Sequence, residues 1–267
     1  MYDRLLFVEG PSDEAVMREL AKTLDIDLAQ SNIGFVQMGG VRNFAHFAAE
    51  ATIALLARRR IRLWFVADRD ERDEIEVKRM VERLGNTATL KVLERRELEN
   101  YLLDPVAIAR FIAEKRAAAA LPAESPPVAE VNDLIDEVAR GLKEEVIRLR
   151  FRQATLRPVF LHGREDEGSV EDRLSQAVEL LSERMKGLAV TRDRIVAEVG
   201  MEWERVASQR APGSLILDAV ARRYDVRFSK DSGDAARLAR LLRREAIPDE
   251  LRHLLQEVTG EPSTELE

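Results

Sequence analysis

The sequence predicts an α/β fold, a parallel sheet with flanking helices, joined to an all-helical second domain. Two observations carry this. Up to about residue 103 short apolar runs alternate with amphipathic stretches, and from Asp104 onward the strand pattern disappears. Strand–helix alternation implies right-handed βαβ units and a parallel sheet covered on both faces.

Four strands are expected, at Arg4–Val8, Ile33–Met38, Ile61–Ala67 and Thr89–Glu94. The runs Leu5-Leu6-Phe7-Val8 and Leu63-Trp64-Phe65-Val66 suit strands buried on both sides. Helices are expected over 12–22, 41–59 and 73–84. Gly10-Pro11, Gly39-Gly40 and Gly85-Asn86 punctuate the turns. A helical stretch over 104–120 then meets the linker Leu-Pro-Ala-Glu-Ser-Pro-Pro at 121–127. Long helical patterns cover 128–156 and 169–207, divided by a loop at His162–Gly168. Pro212-Gly213 opens another helix, Tyr224–Ser229 reads as a short extended segment, and Gly233–Glu245 and Asp249–Val258 close the chain as helices.

With 267 residues the chain is long enough for a full core. It has no cysteine, which excludes disulfides, thiolate metal sites and a cysteine nucleophile. His46, His162 and His253 are too scattered for a zinc site, so a metal here takes oxygen ligands: magnesium, manganese or calcium. No apolar run reaches the ~18 residues of a membrane span, no signal peptide is visible, and a cytoplasmic location is expected. The net charge of −7 argues against a uniformly basic coat for nucleic acid.

Carboxylates gather where the predicted strands end. Glu9 ends the first strand, with Asp13 about a helical turn further on. Asp68 and Asp70 follow the third and project to one side if the backbone stays extended. Glu97 and Glu99 follow the fourth with the same spacing. In an open α/β sheet ligands bind at the carboxyl ends of the strands, and crowded negative charge requires a compensating cation. Plainer readings stand beside this one. Ser12 or Asp13 also suits a helix cap, Asp-x-Asp at a strand end occurs in many α/β folds, and Glu97 and Glu99 also suit pairing with Arg95 and Arg96 on a solvated face.

Val8-Glu9-Gly10-x-Ser12-Asp13-Glu14, then Val66-Ala67-Asp68-x-Asp70, then Arg96-Glu97-Leu98-Glu99-Asn100-Tyr101-Leu102-Leu103 resemble the Toprim domain of OLD-family (overcoming lysogenization defect) nucleases. Toprim folds also serve topoisomerases and primases, and the Glu-Asn-Tyr-Leu segment is what favours OLD. The resemblance covers residues 4–104; beyond them only the general architecture matches. The residue pattern gives a helical domain over 105–208, a segment over 209–260 expected to return to the first domain, and a polar tail over 261–267, and the resemblance implies that 1–104 is a Toprim catalytic domain. It further implies a Mg²⁺- or Mn²⁺-dependent DNA endonuclease using two ions. Glu9 and Asp13 would support one metal or the attacking water, Asp68 and Asp70 the other, and Glu99 would complete the shell with Glu97 as its neighbour. OLD proteins carry an ATPase before this region. The chain has no Gly-x-x-x-x-Gly-Lys-Ser/Thr loop and hence no nucleotide site of that kind, and Met1 stands close to the first strand. The expectation is the nuclease half of an ATPase–nuclease, with any oligomer formed through the other half.

Basic residues must attract the DNA that such a site repels. Segment 140–164 carries Arg140, Lys143, Arg148, Arg150, Arg152, Arg157 and Arg164 against Glu144 and Glu145, and Arg58-Arg59-Arg60 with Arg62 forms a second cluster. Both also suit a solvated surface. Lys230, in Ser229-Lys230-Asp231-Ser232-Gly233, is positioned to reach a scissile phosphate if the chain returns to the sheet. The resemblance likewise places a functional lysine after a Pro-Gly element such as Pro212-Gly213. His46, Trp64 and Trp203 read as core or helix-face residues, and Tyr101 as packing beside the site rather than as a nucleophile. A Toprim ribonuclease, or a non-catalytic metal-dependent module that grips nucleic acid, remains the alternative.

Overall fold

The computed structural model describes residues 2–40, 47, 61–84, 88–156 and 169–260. The expected helix over 41–59, His46, Arg58-Arg59-Arg60, Gly85-Asn86, Arg157, the His162–Gly168 loop and the tail over 261–267 lie outside the described residues, Phe47 excepted.

Strands β1 (Arg4–Val8), β2 (Ile33–Gln37), β3 (Arg62–Ala67) and β4 (Thr89–Val92) form one parallel sheet in the order β2-β1-β3-β4. Because side chains alternate along a strand, the sheet divides its apolar residues between two faces. Leu6, Val8, Trp64 and Val66 join one core cluster; Phe7, Leu63 and Phe65 join another with Leu84. On that second face the Phe7 and Phe65 rings stack at 4.3 Å. The first face packs on α1 (Pro11–Thr23), while α2 (Glu74–Leu84) leads into β4.

After a 3-10 turn at Leu98–Leu102 the chain is helical: α3 (Pro105–Ala118), α4 (Val128–Gly141), α5 (Lys143–Thr155), α6 (Val170–Lys186), α7 (Leu188–Arg210), α8 (Gly213–Arg222), α9 (Asp234–Leu241) and α10 (Asp249–Thr259). The expected helix over 233–245 is shorter. It ends at Leu241, and residues 244–246 form a separate 3-10 turn. One apolar cluster runs without interruption from Leu6 and Met17 through Phe111, Val131 and Trp203 to Val258. The helices therefore extend the core that covers one face of the sheet. Trp64 and Trp203 are both buried, and each donates its indole N–H, to Glu257 at 3.0 Å and to the Arg140 carbonyl at 2.9 Å.

The last third of the chain folds back over the first. Helix α9 packs along α1, and its first residue, Asp234, is buried. Both Asp234 oxygens accept from Lys115 Nζ at 2.9 Å, and Oδ2 also accepts from the Ser229 amide at 3.0 Å. The Phe111 and Phe228 rings meet edge-on at 6.2 Å. These contacts fix the segment before Lys230. The expected extended run Tyr224–Ser229 begins instead in a turn, with Asp225 left-handed at φ of +60°; Ser229 is extended, and residues 226–229 have no ladder partner among the described residues. Asp234→Ala is expected to destabilise the protein by about 2–3 kcal/mol, because it leaves a half-buried ammonium and a buried amide without their acceptor. Urea denaturation checks this.

Candidate functional site

Parallel pairing of β1 with β3 sets Phe7 level with Phe65, so the two chains leave the sheet side by side. Glu9 leaves β1 and Asp68 leaves β3, and Glu9 Oε1 accepts the Asp68 amide at 3.0 Å. Asp68 Oδ1 in turn accepts the Leu98 amide at 2.9 Å, tying the β4 exit to the same point. Asp13 lies one turn into α1, and its Oδ2 accepts the Gly10 amide at 3.0 Å. Asp13 thus closes the helix start as a cap does, while its other oxygen faces the cluster.

Lys230 arrives from the far end of the sequence. Its Nζ stands 2.9 Å from Glu99 Oε1 and 3.2 Å from Asp13 Oδ1, the latter an ion pair without hydrogen-bond geometry. Asp13, Asp68 and Glu99 are 6%, 9% and 1% exposed. A cavity of about 510 Å³ opens on Glu9 and Asp13, lined by Gly10, Gly39 and Gly40 and bounded by Lys230.

The expected pairing of Asp68 with Asp70 on an extended backbone is not observed. Strand β3 ends at Ala67, and Asp70 has φ of +47°, in the left-handed region. Arg72 stabilises that turn by donating to the Asp68 carbonyl and to Asp70 Oδ2, the latter at 3.2 Å. Asp68 therefore shares its charge environment first with Glu9 and then with Lys230, Asp13 and Glu99, and Asp70 is the largest charge acting on Glu9. Glu97 is engaged elsewhere: its Oε2 accepts from Ser214 Oγ at 3.1 Å and its Oε1 from Arg96 Nε at 3.3 Å.

Burial first, and charge second, account for the titration of the carboxylates. Burial, and next the charge of Asp70, pushes the Glu9 carboxyl up. Burial, and next the charge of Glu9, pushes Asp68 well above the usual carboxylate range. Glu99 is also raised by burial, against the opposing pull of Lys230. Burial works against the Lys230 ammonium, but Glu99, then Asp13 and Asp68, outweigh it and raise its pKa.

Among the described residues no three metal-ligating side chains close into a ready-made cation site; Lys230 stands between two of the carboxylates. The donor set nevertheless fits a hard divalent ion. All five groups offer oxygen, and the buried Glu99 Oε2 and Asp13 Oδ1 lack hydrogen-bond donors.

The Glu-Asn-Tyr-Leu turn proves to be the support for this cluster. Asn100 is fully buried, donates to the Ser208 and Ala211 carbonyls at 2.7 and 2.9 Å, and accepts the Glu97 amide at 2.9 Å. Gly213 lies so close that a Cβ there would stand 2.6 Å from the Asn100 nitrogen and 2.8 Å from the Glu99 carbonyl carbon. Tyr101 takes the Arg95 amide at 3.0 Å and donates to Glu250, which also accepts the Glu94 amide. Arg96 forms a bidentate pair with Glu71 at 2.5 and 2.6 Å. Arg72, Asp234 and Glu250 were not singled out from the sequence. Each is an ordinary charged residue in a helix or turn, and no spacing marks it.

Two outcomes follow. Gly213→Ala is expected to cost about 1–3 kcal/mol by overpacking against the backbone that carries Glu99, read as a lower melting temperature. Asp68 has a folded pKa above its unfolded one, so its contribution to stability is fullest below about pH 4 and is lost as pH rises through the folded value. Asp68→Asn keeps the Leu98 acceptor and removes that loss. It is expected to melt higher than the unmodified protein at pH 7 in chelator, as differential scanning calorimetry checks.

Residues 1–70 match the family model described as "Overcoming lysogenization defect protein-like, TOPRIM domain". No curated protein and no solved structure matches the chain. The match spans β1 to the Asp68–Asp70 turn, the segment that supplies Glu9, Asp13, Asp68 and Asp70. Over residues 1–70 the chain is therefore similar to an overcoming-lysogenization-defect-like Toprim domain, and the parallel sheet flanked by helices agrees with that likeness.

Proposed function

We propose that this chain is a Mg²⁺- or Mn²⁺-dependent endonuclease that cleaves or nicks DNA. A Toprim domain of this family supports a metal-binding function directed at nucleic acid in general. The observation that carries the narrower reading is the gathering of Glu9, Asp13, Asp68, Asp70, Glu99 and Lys230 at the carboxyl ends of parallel strands, beside an open cavity.

Asp13, Asp68 and Glu99 would hold one ion, and Glu9 with Asp70 a second. When bound, such ions supply polarisation of the phosphodiester and a water of lowered pKa. The chain's own groups supply the remainder. Glu9, with its raised pKa and its place on the cavity, is suited to take the proton of the attacking water. Lys230 is held charged beside the cavity and can donate to a phosphoryl oxygen as negative charge builds there. The lysine leaves its carboxylate partners free for metal when it turns to substrate. The basic residues of α5, among them Arg150 and Arg152, offer a track for the strand, as counterion release requires. The family resemblance adds an ATPase that would act together with this domain.

Incubating the chain with supercoiled plasmid and Mn²⁺ or Mg²⁺ is expected to give nicked product. Asp68→Asn and Lys230→Ala are each expected to lower the rate by about 100-fold or more. Cleavage of RNA alone in a parallel assay identifies a ribonuclease, and metal-dependent binding without cleavage identifies a non-catalytic module. Undiminished nicking by Asp68→Asn defeats the assignment of the site.

A further inference from the structure

The ladder between β3 and β4 ends at Ala67 and Val92, with one last bond from the Leu93 amide to the Ala67 carbonyl at 3.0 Å. Beyond it lie the turn carrying Asp68 and Asp70 and the turn carrying Glu97 and Glu99. No strand pairing sets the spacing of these two turns. A hard divalent ion requires its oxygen ligands at fixed positions, magnesium most strictly. Contacts outside the sheet must therefore hold the turns in register.

Arg96 does this with both its backbone and its side chain. Its carbonyl accepts the Asp70 amide at 2.9 Å, and its own amide donates to the Gln209 carbonyl, also at 2.9 Å. Its guanidinium grips Glu71, the residue after Asp70, through two bonds of 2.5 and 2.6 Å, and donates to Glu97 at 3.3 Å. One side chain thus spans from the neighbour of Asp70 to the residue two before Glu99. Asp70 sits at φ of +47°, a conformation that an L residue keeps only when its surroundings hold it. The planar fork of arginine makes that paired contact, whereas a lysine offers a point charge.

Stability alone does not account for the pair. Arg96 is the only buried cation among the described residues, at 5% exposure, and the Glu71 side chain is at 7%. Taking two charges out of water costs about what their attraction returns, so apolar residues of similar volume serve a core equally well. Apolar burial has no direction, however, and cannot aim a turn.

We propose that Arg96, through Glu71, is a positioning residue that sets Asp70 and Glu99 in the geometry that binds the divalent ion. This rests on the reading of those carboxylates as metal ligands. The double variant Glu71→Met with Arg96→Met fills a similar volume without charge. It is expected to keep its circular dichroism and a melting temperature close to that of the unmodified chain in chelator. It is also expected to bind Mn²⁺ at least about tenfold more weakly in isothermal titration calorimetry. Arg96→Lys keeps the charge but not the fork, and the same loss is expected of it. Either variant, folded and binding Mn²⁺ as tightly as the unmodified chain, overturns the proposal. A loss of binding that in both variants only accompanies unfolding overturns it too, since the pair is then merely structural. An unmodified chain that binds no Mn²⁺ defeats the metal reading of the site, and this inference with it.

Discussion

Buried like charge is the constraint around which this molecule is organised. Glu9, Asp13, Asp68 and Glu99 are drawn together where parallel strands end, and burial raises the pKa of three of them: Glu9, Asp68 and Glu99. A protein selected for stability alone would separate such groups or make them neutral. Here each carboxylate is held in place by a backbone amide or by Lys230, so the repulsion is fixed into the fold. Strain of this kind is characteristic of sites that await a ligand. The charge that relieves it is supplied by Lys230 within the chain and would be supplied by a divalent ion in its working state.

Much of the remaining structure serves to hold that arrangement. Asn100 fastens the turn bearing Glu99 to the junction of α7 and α8, and Gly213 permits the close approach because it lacks a Cβ. Asp234 fixes the segment that presents Lys230, using a lysine on α3 and a packed phenylalanine pair. The sheet, the helical region and the carboxyl-terminal segment share one continuous core, which lets residues 13, 99 and 230 meet within hydrogen-bond distances. Helix α6 is the exception. None of its residues is fully buried, and it contributes nothing to the site.

Much of this was legible in the sequence, for physical reasons. The apolar runs at Leu5–Val8 and Leu63–Val66 specify buried parallel strands, because only a sheet covered on both faces accommodates them. Glu9 and Asp68 were identifiable as strand-end residues once those runs were recognised. Asp70 was read less well, since the extended continuation gave way to a left-handed turn pinned by Arg72. Glu97 and Glu99 look equivalent in sequence, yet only Glu99 contacts Lys230. Their separation comes from Ser214 and Arg96 engaging Glu97.

The sequence by itself determined the strand–helix alternation, the oxygen-only character of any metal site and the local identity of each strand-end acid. These depend on composition and short-range periodicity. Only the tertiary structure decided which acids share a charge environment, and that Lys230 reaches Asp13 and Glu99 although more than a hundred residues separate it from either in sequence. It alone fixed which face of α6 is left bare. Those facts depend on how distant elements pack, and packing is a property of the whole core that no local pattern encodes.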